Sequence, residues 1–284
     1  MRFILLVKST KDFEAGRFPD ETIGSEIAQW SEDLTRAGAR LGSNRLHPSS
    51  KGTRVRYARG RFQVTDGPFA ESKELIAGYC MIRASSLDEA VAWAKRVPFE
   101  EGEIEVRPLL ELSDIPVNPA EQPDCSRDNE DQIRAAQPTR KPGTVRYMGL
   151  LKGDPDTEAG KIPEEKVLTA VGTFMEEGAK AGVFLTAEGL QPSSKGARVR
   201  YSGRNRVVTD GPFAETKELV AGFMLLQFPT KDAAIEWTKR FVEIDAPGRY
   251  RGESECEIRP VFEKEDEPER TLEHFRHTGI GPQN

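Results

Sequence analysis

The chain has 284 residues, 31% of them charged and 37% hydrophobic, with a formal net charge of −6. That length holds two ordinary domains, each with its own core, and an acidic balance with no basic block argues against a nucleic-acid partner. No apolar run reaches the roughly 20 residues of a membrane-crossing helix. The three cysteines, Cys80, Cys125 and Cys256, are too scattered for a disulfide framework or a Cys-x-x-Cys site, which points to reduced thiols in a cytoplasm.

Arg2 to Lys8 reads as a first strand, not a signal peptide, and its near-continuous apolar run predicts burial on both faces. Pro19 opens a helix whose apolar positions Ile23, Ile27, Trp30, Leu34 and Ala37 share one face, and Gly38 ends it. Leu41 to Leu46 is a short strand. Thr53 to Ala58 alternates, placing Arg54 and Arg56 on one face and Val55 and Tyr57 on the other. Arg59-Gly60-Arg61 turns the chain back through Phe62 to Thr65, and an Asp-Gly-Pro turn follows. Leu75 to Arg83 is the next strand, where Gly78 marks a bulge or a close backbone approach. Ser86-Leu-Asp-Glu89 reads as a capping box opening a second helix, and Ile104 to Leu109 closes the unit.

The plan then repeats. Val64 to Gly78 and Val208 to Gly222 differ only at Ser72/Thr216 and Ile76/Val220, at an offset of 144 residues. At the same offset, His47-Pro-Ser-Ser-Lys-Gly52 matches Gln191-Pro-Ser-Ser-Lys-Gly196. Matches this long mean a duplicated unit. The second unit carries eight extra residues before its last strand, placed in a loop over Glu243 to Gly252. The boundaries read as 1–113 and 144–264, joined by a Pro-rich charged linker over 114–143 and followed by a polar tail over 265–284.

Asp-Gly-Pro-Phe-Ala-Glu-Thr-Lys-Glu, with Arg-Val-Arg before it and the closing Glu105-Val-Arg-Pro108 and Glu257-Ile-Arg-Pro260, resembles the signature of the DGPF group within the YCII-related family. The resemblance covers each repeat from end to end. It implies an α+β fold: two ferredoxin-like βαββαβ repeats packed as an intramolecular pseudo-dimeric α+β barrel, its sheets burying Leu5, Val7, Tyr79 and Met81 against Gly149, Leu151, Phe223 and Leu225, with further oligomerisation open. YCII proteins proper resemble enzymes with a His and an Asp in one pocket. Neither repeat has a His on its first helix, so that dyad is not carried over.

Asp66 and Asp210 read either as carboxylates lining a cleft or as caps of their own turns. Glu71 and Lys73 with Glu74, and Glu215 and Lys217 with Glu218, are either a tuned acid–base group or a solvated ion cluster. Arg54, Arg56, Arg198 and Arg200 could clamp a carboxylate or phosphate, or line an interface edge. His47 has Gln191 as its counterpart in the second repeat, and Asn44 has Glu188, so the two pockets are not equivalent. His274 and His277 have helical ligand spacing but no rigid frame, so no metal is assigned, and no cofactor fingerprint is present.

Two functions fit these residues. One is a small-molecule-binding protein with a polar pocket near each Asp-Gly-Pro-Phe turn, with cofactor-independent enzymatic activity left open. The other, implied by the resemblance, is a non-catalytic module accessory to an alternative sigma factor or similar transcription-initiation regulator.

Overall fold

The computed structural model describes residues 1–17, 21–70, 75–111, 114, 140–214 and 219–266. Pro19, Cys125, Glu71, Lys73, Glu74, Glu215, Lys217, Glu218, His274, His277 and most of the linker lie outside the described residues.

The first half runs β1 (Arg2–Lys8), a one-turn helix α1 (Lys11–Glu14), α2 (Glu21–Arg36), β2 (Arg40–Arg45), β3 (Thr53–Ala58), β4 (Arg61–Asp66), β5 (Ile76–Arg83), α3 (Leu87–Lys95) and β6 (Glu101–Pro108). The second half repeats it as β7 (Val145–Lys152), α4 (Pro155–Glu158), α5 (Glu165–Ala181), β8 (Phe184–Gly189), β9 (Ala197–Ser202), β10 (Asn205–Asp210), β11 (Val220–Phe228), α6 (Lys231–Asp245) and β12 (Ser254–Pro260). Gly38 and Gly182, at φ +68° and +66°, supply the left-handed residue that ends the long helices. Ser86 and Thr230 accept the N–H groups of Glu89 and Ala233 as N-caps. The Glu89 carboxylate reaches back to Ser85, one residue short of a closed capping box. The eight extra residues are not simply a loop. α6 has fifteen residues against nine in α3, and its last residue, Asp245, accepts from Arg249 and Ser254.

Within each half four strands follow the ferredoxin-like order, β6-β1-β5-β2 and β12-β7-β11-β8. The β3–β4 and β9–β10 hairpins do not stay at home. β3 pairs with β12, from Ser254 opposite Tyr57 to Ile258 opposite Thr53, and β9 pairs with β6, from Glu101 opposite Ser202 to Val106 opposite Ala197. Each half therefore completes a six-stranded sheet with the other half's hairpin. The two sheets also close on each other. The end of β6 bonds to β8 (Leu109 opposite Leu190) and the end of β12 bonds to β2 (Leu46 opposite Val261). Eight strands thus form a ring with the helices outside, an α+β barrel made from one chain.

Three apolar clusters fill this frame. Phe3, Leu5, Ile82 and Val106 pack under α2 and α3; Leu151, Met224, Leu226 and Ile258 pack under α5 and α6. Ile4, Leu6, Tyr79, Met81, Met148, Leu150, Phe223 and Leu225 fill the barrel. The continuous apolar run of β1 is thus buried on both faces, as its sequence predicts. Tyr79, Met81, Phe223 and Leu225 face inward as the barrel reading requires. Leu5, Val7 and Leu151, expected beside them, face the helices, and a Cβ on Gly149 would meet the helix-side Met224 and Cys256. The register gives the reason: Ile4 lies opposite Met81 and Leu6 opposite Tyr79, and directly opposed residues share a face. Gly78 and Gly222 sit where a Cβ would fall 2.9 Å and 3.0 Å from the carbonyl oxygens of Asn44 and Glu188, which is the close approach offered as one reading of Gly78.

Candidate functional site

The two duplicated motifs meet in space. Ser49–Lys51 forms a single 3-10 turn, and the Asp-Gly-Pro-Phe segment lies against it. Gly67 donates to the Gly52 carbonyl at 3.1 Å and Phe69 N–H donates to Ser49 Oγ at 3.2 Å. In the second half Gly211 donates to Gly196 at 3.0 Å and Phe213 to Ser193 Oγ at 3.2 Å. A Cβ on Gly67 or Gly211 would stand 1.9 Å from the facing serine carbonyl oxygen. Gly67→Ala and Gly211→Ala are accordingly expected to destabilise the fold by about 1–3 kcal/mol each through overpacking, read from urea unfolding midpoints.

The one-turn helices deliver a carboxylate to this joint. Glu14 accepts the Ser49 N–H at 2.7 Å, and Glu158 accepts that of Ser193 at 3.0 Å together with its hydroxyl. Each then faces an arginine of the other half: Glu14 lies 3.6 Å from Arg259, and Glu158 lies 3.5 Å from Arg107.

Behind the joint lies a buried ion cluster on the inward face of each sheet. Glu105 stands opposite Leu6 and Arg107 opposite Ile4, both lining the barrel. Arg107 Nη1 donates to Glu105 Oε1 at 3.0 Å, Arg198 Nη2 donates to Glu105 Oε2 at 2.9 Å, and Lys8 Nζ lies 3.2 Å from the same oxygen. The Arg198 guanidinium lies over Phe213 of the motif, 4.0 Å from the ring centre. The pseudo-symmetric cluster has Arg259 and Arg54 on Glu257 at 3.0 and 2.9 Å, Lys152 3.7 Å away, and Arg54 4.1 Å over Phe69. Arg107 and Arg259 also donate from Nε to the backbone carbonyls of Gln191 and His47, at 3.0 and 2.9 Å. Burial alone would raise the Glu105 carboxyl, but Lys8, Arg107 and Arg198 together outweigh it and hold it down at about 2. Glu257 is lowered in the same way, against its own burial, by Lys152, Arg259 and Arg54. Burial pushes the Lys152 ammonium down.

A family model for the YCII-related domain matches residues 1–113 and again 145–254, one match for each half of the barrel. The chain belongs to the YCII-related family. An uncharacterized protein of Rhizobium meliloti (strain 1021) is 34% identical over 93 residues, spanning 32% of this chain and 75% of that protein. A crystal structure named "Putative Chlorite dismutase TA0507" aligns over 92% of this chain and 94% of its own, at 12% identity and a TM-score of 0.34, too distant to carry an argument.

Of the residues singled out in the YCII-related repeats, Arg54 and Arg198 enter the clusters, and both reach them from the opposite half. Arg56 and Arg200 pair at the rim with Glu253 and Glu103. Asp66 is exposed and caps no backbone group among the described residues. It accepts from Thr53 Oγ1 at 2.6 Å and Lys231 Nζ at 2.7 Å, and these bonds, that from Lys231 foremost, lower its pKa. Asp210 stands opposite Ala197, which has no hydroxyl to give. Asp66→Ala is therefore expected to cost about 1 kcal/mol by orphaning the buried Thr53 hydroxyl, and Asp210→Ala nearly nothing, in parallel thermal melts. His47 Nε2 lies 3.1 Å from Asp266, and its pKa is lowered mainly by burial. Glu188 accepts from Arg2 at 2.6 Å, with its pKa raised by burial, while Asn44 donates to Tyr79 at 2.7 Å. The non-equivalence at 44/188 is thus a difference in how a half-buried amide and a buried carboxyl are satisfied. Lys8, Glu105, Arg107 and Glu158, with their counterparts Lys152, Glu257, Arg259 and Glu14, were not among the candidates. For Lys8, Glu105 and Arg107 the signal was available: charged residues alternating with apolar ones on strands, duplicated as Lys152, Glu257 and Arg259, whereas Glu14 and Glu158 lie on the one-turn helices.

Proposed function

We propose that this protein binds a small molecule at a polar pocket beside each Asp-Gly-Pro-Phe turn. The observation that supports this is the convergence of both duplicated motifs on a buried charged cluster assembled from the two halves. Lys8, Glu105 and Arg107 come from one half; Arg198, Glu158, Ser193 and Phe213 come from the other. Ser193 is fully buried and its hydroxyl donates to Glu158, which fixes the turn and gives no exposed nucleophile. The pocket's chemistry is recognition by arginine and lysine. A thermal-shift screen of metabolite-sized compounds tests this: a ligand at one hundred times its Kd adds about 2.7 kcal/mol to stability. Loss of that shift in Arg198→Leu, with the fold retained, is the supporting result; a shift unchanged in both Arg198→Leu and Arg54→Leu contradicts it.

A second reading, an interaction module accessory to a transcription-initiation regulator, has one observation in its favour. Phe62 and Val64, each 42% exposed, and Val207, 57% exposed, lie on the edge strands β4 and β10, whose outer edges pair with no other strand among the described residues. A screen in which no compound shifts the transition favours this reading.

A further inference from the structure

Resting on the binding reading above, we infer that the two clusters open on one mouth of the barrel and together take a single compact dianion, held between Lys8 and Lys152. The topology brings them together. β1 is antiparallel to β5, β5 to β2, the end of β2 to the end of β12, and β12 to β7, so β1 and β7 run the same way round the closed ring. Lys8 and Lys152 are the last residues of those strands, in phase with Leu6 and Leu150, so both point inward at the same end. Lys8 is also one of the charges that act on Lys152.

Among the described residues the mouth and its rim carry one more cation than carboxylates. Its inner wall carries Lys8, Lys152, Arg54, Arg107, Arg198 and Arg259 against Glu14, Glu105, Glu158 and Glu257, six cations facing four carboxylates. Farther out, Glu103 is shared between Arg198 and the exposed Arg200, Glu253 pairs with the exposed Arg56, and Glu255 is half-buried. Donors are short of acceptors too. Lys8 is 6% exposed, yet its Nζ, though near Glu105, makes no hydrogen bond among the described residues. Arg54 Nη2 is likewise buried without an acceptor. Buried donors of this kind are rare in folded proteins and cost stability unless something accepts from them. A ligand with two negative charges, one toward each lysine, gives such donors an acceptor, and the half-buried Arg54 and Arg198 border the mouth toward solvent.

Calorimetry of the full chain with succinate, inorganic phosphate and acetate tests this. The expected result is one succinate or one phosphate per chain, bound at least tenfold tighter than acetate. Lys8→Met and Lys152→Met, in different halves, should each weaken it tenfold or more. Lys8→Arg, which keeps the charge, should stay within about threefold and control for loss of fold. A preference for succinate assigns a dicarboxylate, and a preference for phosphate a phosphoryl group. Two independent sites per chain, or sensitivity to only one of the two lysines, would overturn the shared mouth. If none of the three anions binds while another compound shifts the melting transition, the dianion assignment fails and the binding reading stands; if nothing in the screen shifts it, both fail.

Discussion

Glu105→Gln should lower the stability of this protein by about 3–5 kcal/mol at neutral pH, the usual result of removing one partner from a buried ion group. Glutamine is nearly the same size, so packing changes little. Lys8, Arg107 and Arg198 would keep their charges with no carboxylate between them. The same residue sets an acid limit. Its carboxyl is held at about 2 in the fold, against 4.5 for an ordinary glutamate. A depressed carboxyl contributes stability that is fully present above the unfolded value and is lost as pH falls through the folded one. The contribution is about 3 kcal/mol, since a tenfold change in proton affinity is worth about 1.4 kcal/mol, and it fades between pH ~4.5 and ~2. Urea unfolding at pH 7, 4 and 3 should show the wild type losing stability over that range and Glu105→Gln losing less of it. Glu257→Gln should behave alike. Equal stability of wild type and variant at pH 7 would show that the cluster is not the fold's electrostatic centre.

The second large effect is expected from dividing the chain. A first half alone lacks the β9–β10 hairpin that extends its sheet beyond β6, and it exposes the barrel face of Ile4, Leu6, Tyr79 and Met81. Residues 1–113 and 144–284 expressed separately should therefore aggregate or self-pair, and should regain the native circular dichroism spectrum when mixed. A protease site placed within 115–139 should leave the cut halves eluting together, separable only in denaturant. Soluble, stable monomeric halves that ignore one another would contradict the barrel. The linker sets an effective concentration on the order of millimolar for this encounter, so joining the halves favours pairing within one chain over pairing between chains.

Much of the fold was legible because the duplicated stretches are also its joints. The Pro-Ser-Ser-Lys-Gly run and the Asp-Gly-Pro-Phe run are far apart in sequence yet bond to each other. Gly67 tolerates no Cβ, and Ser49 and Ser193 each tie two backbone segments together. The helix ends at Gly38 and Gly182 were likewise local chemistry. The hairpin exchange was not legible, because the repeats are so alike. Arg54-Val-Arg56 can face Glu103 and Glu105 or Glu255 and Glu257 with the same alternation of charge, and only the three-dimensional path of the chain distinguishes home from exchanged pairing. The inward face of β1 was misread for a related reason: a run apolar on both sides carries no parity signal, and cross-strand register alone supplies it. At the site, the arginines were visible as an alternating pair, whereas Asp66, the most conspicuous acid of the motif, is exposed and accepts from the buried Thr53 hydroxyl and from Lys231.

The exchange of hairpins is the central structural claim, and a pair of double-mutant cycles on Arg198 tests it most directly. With the hairpins exchanged, Arg198 pairs with Glu105 of the other half; with each hairpin at home, it would pair with Glu257 of its own. Stabilities measured for Arg198→Met, Glu105→Gln, Glu257→Gln and the two double variants should give a coupling of about 1–3 kcal/mol between Arg198 and Glu105, and about 0.5 kcal/mol or less between Arg198 and Glu257. The reverse pattern would place the hairpins at home and contradict the composite site.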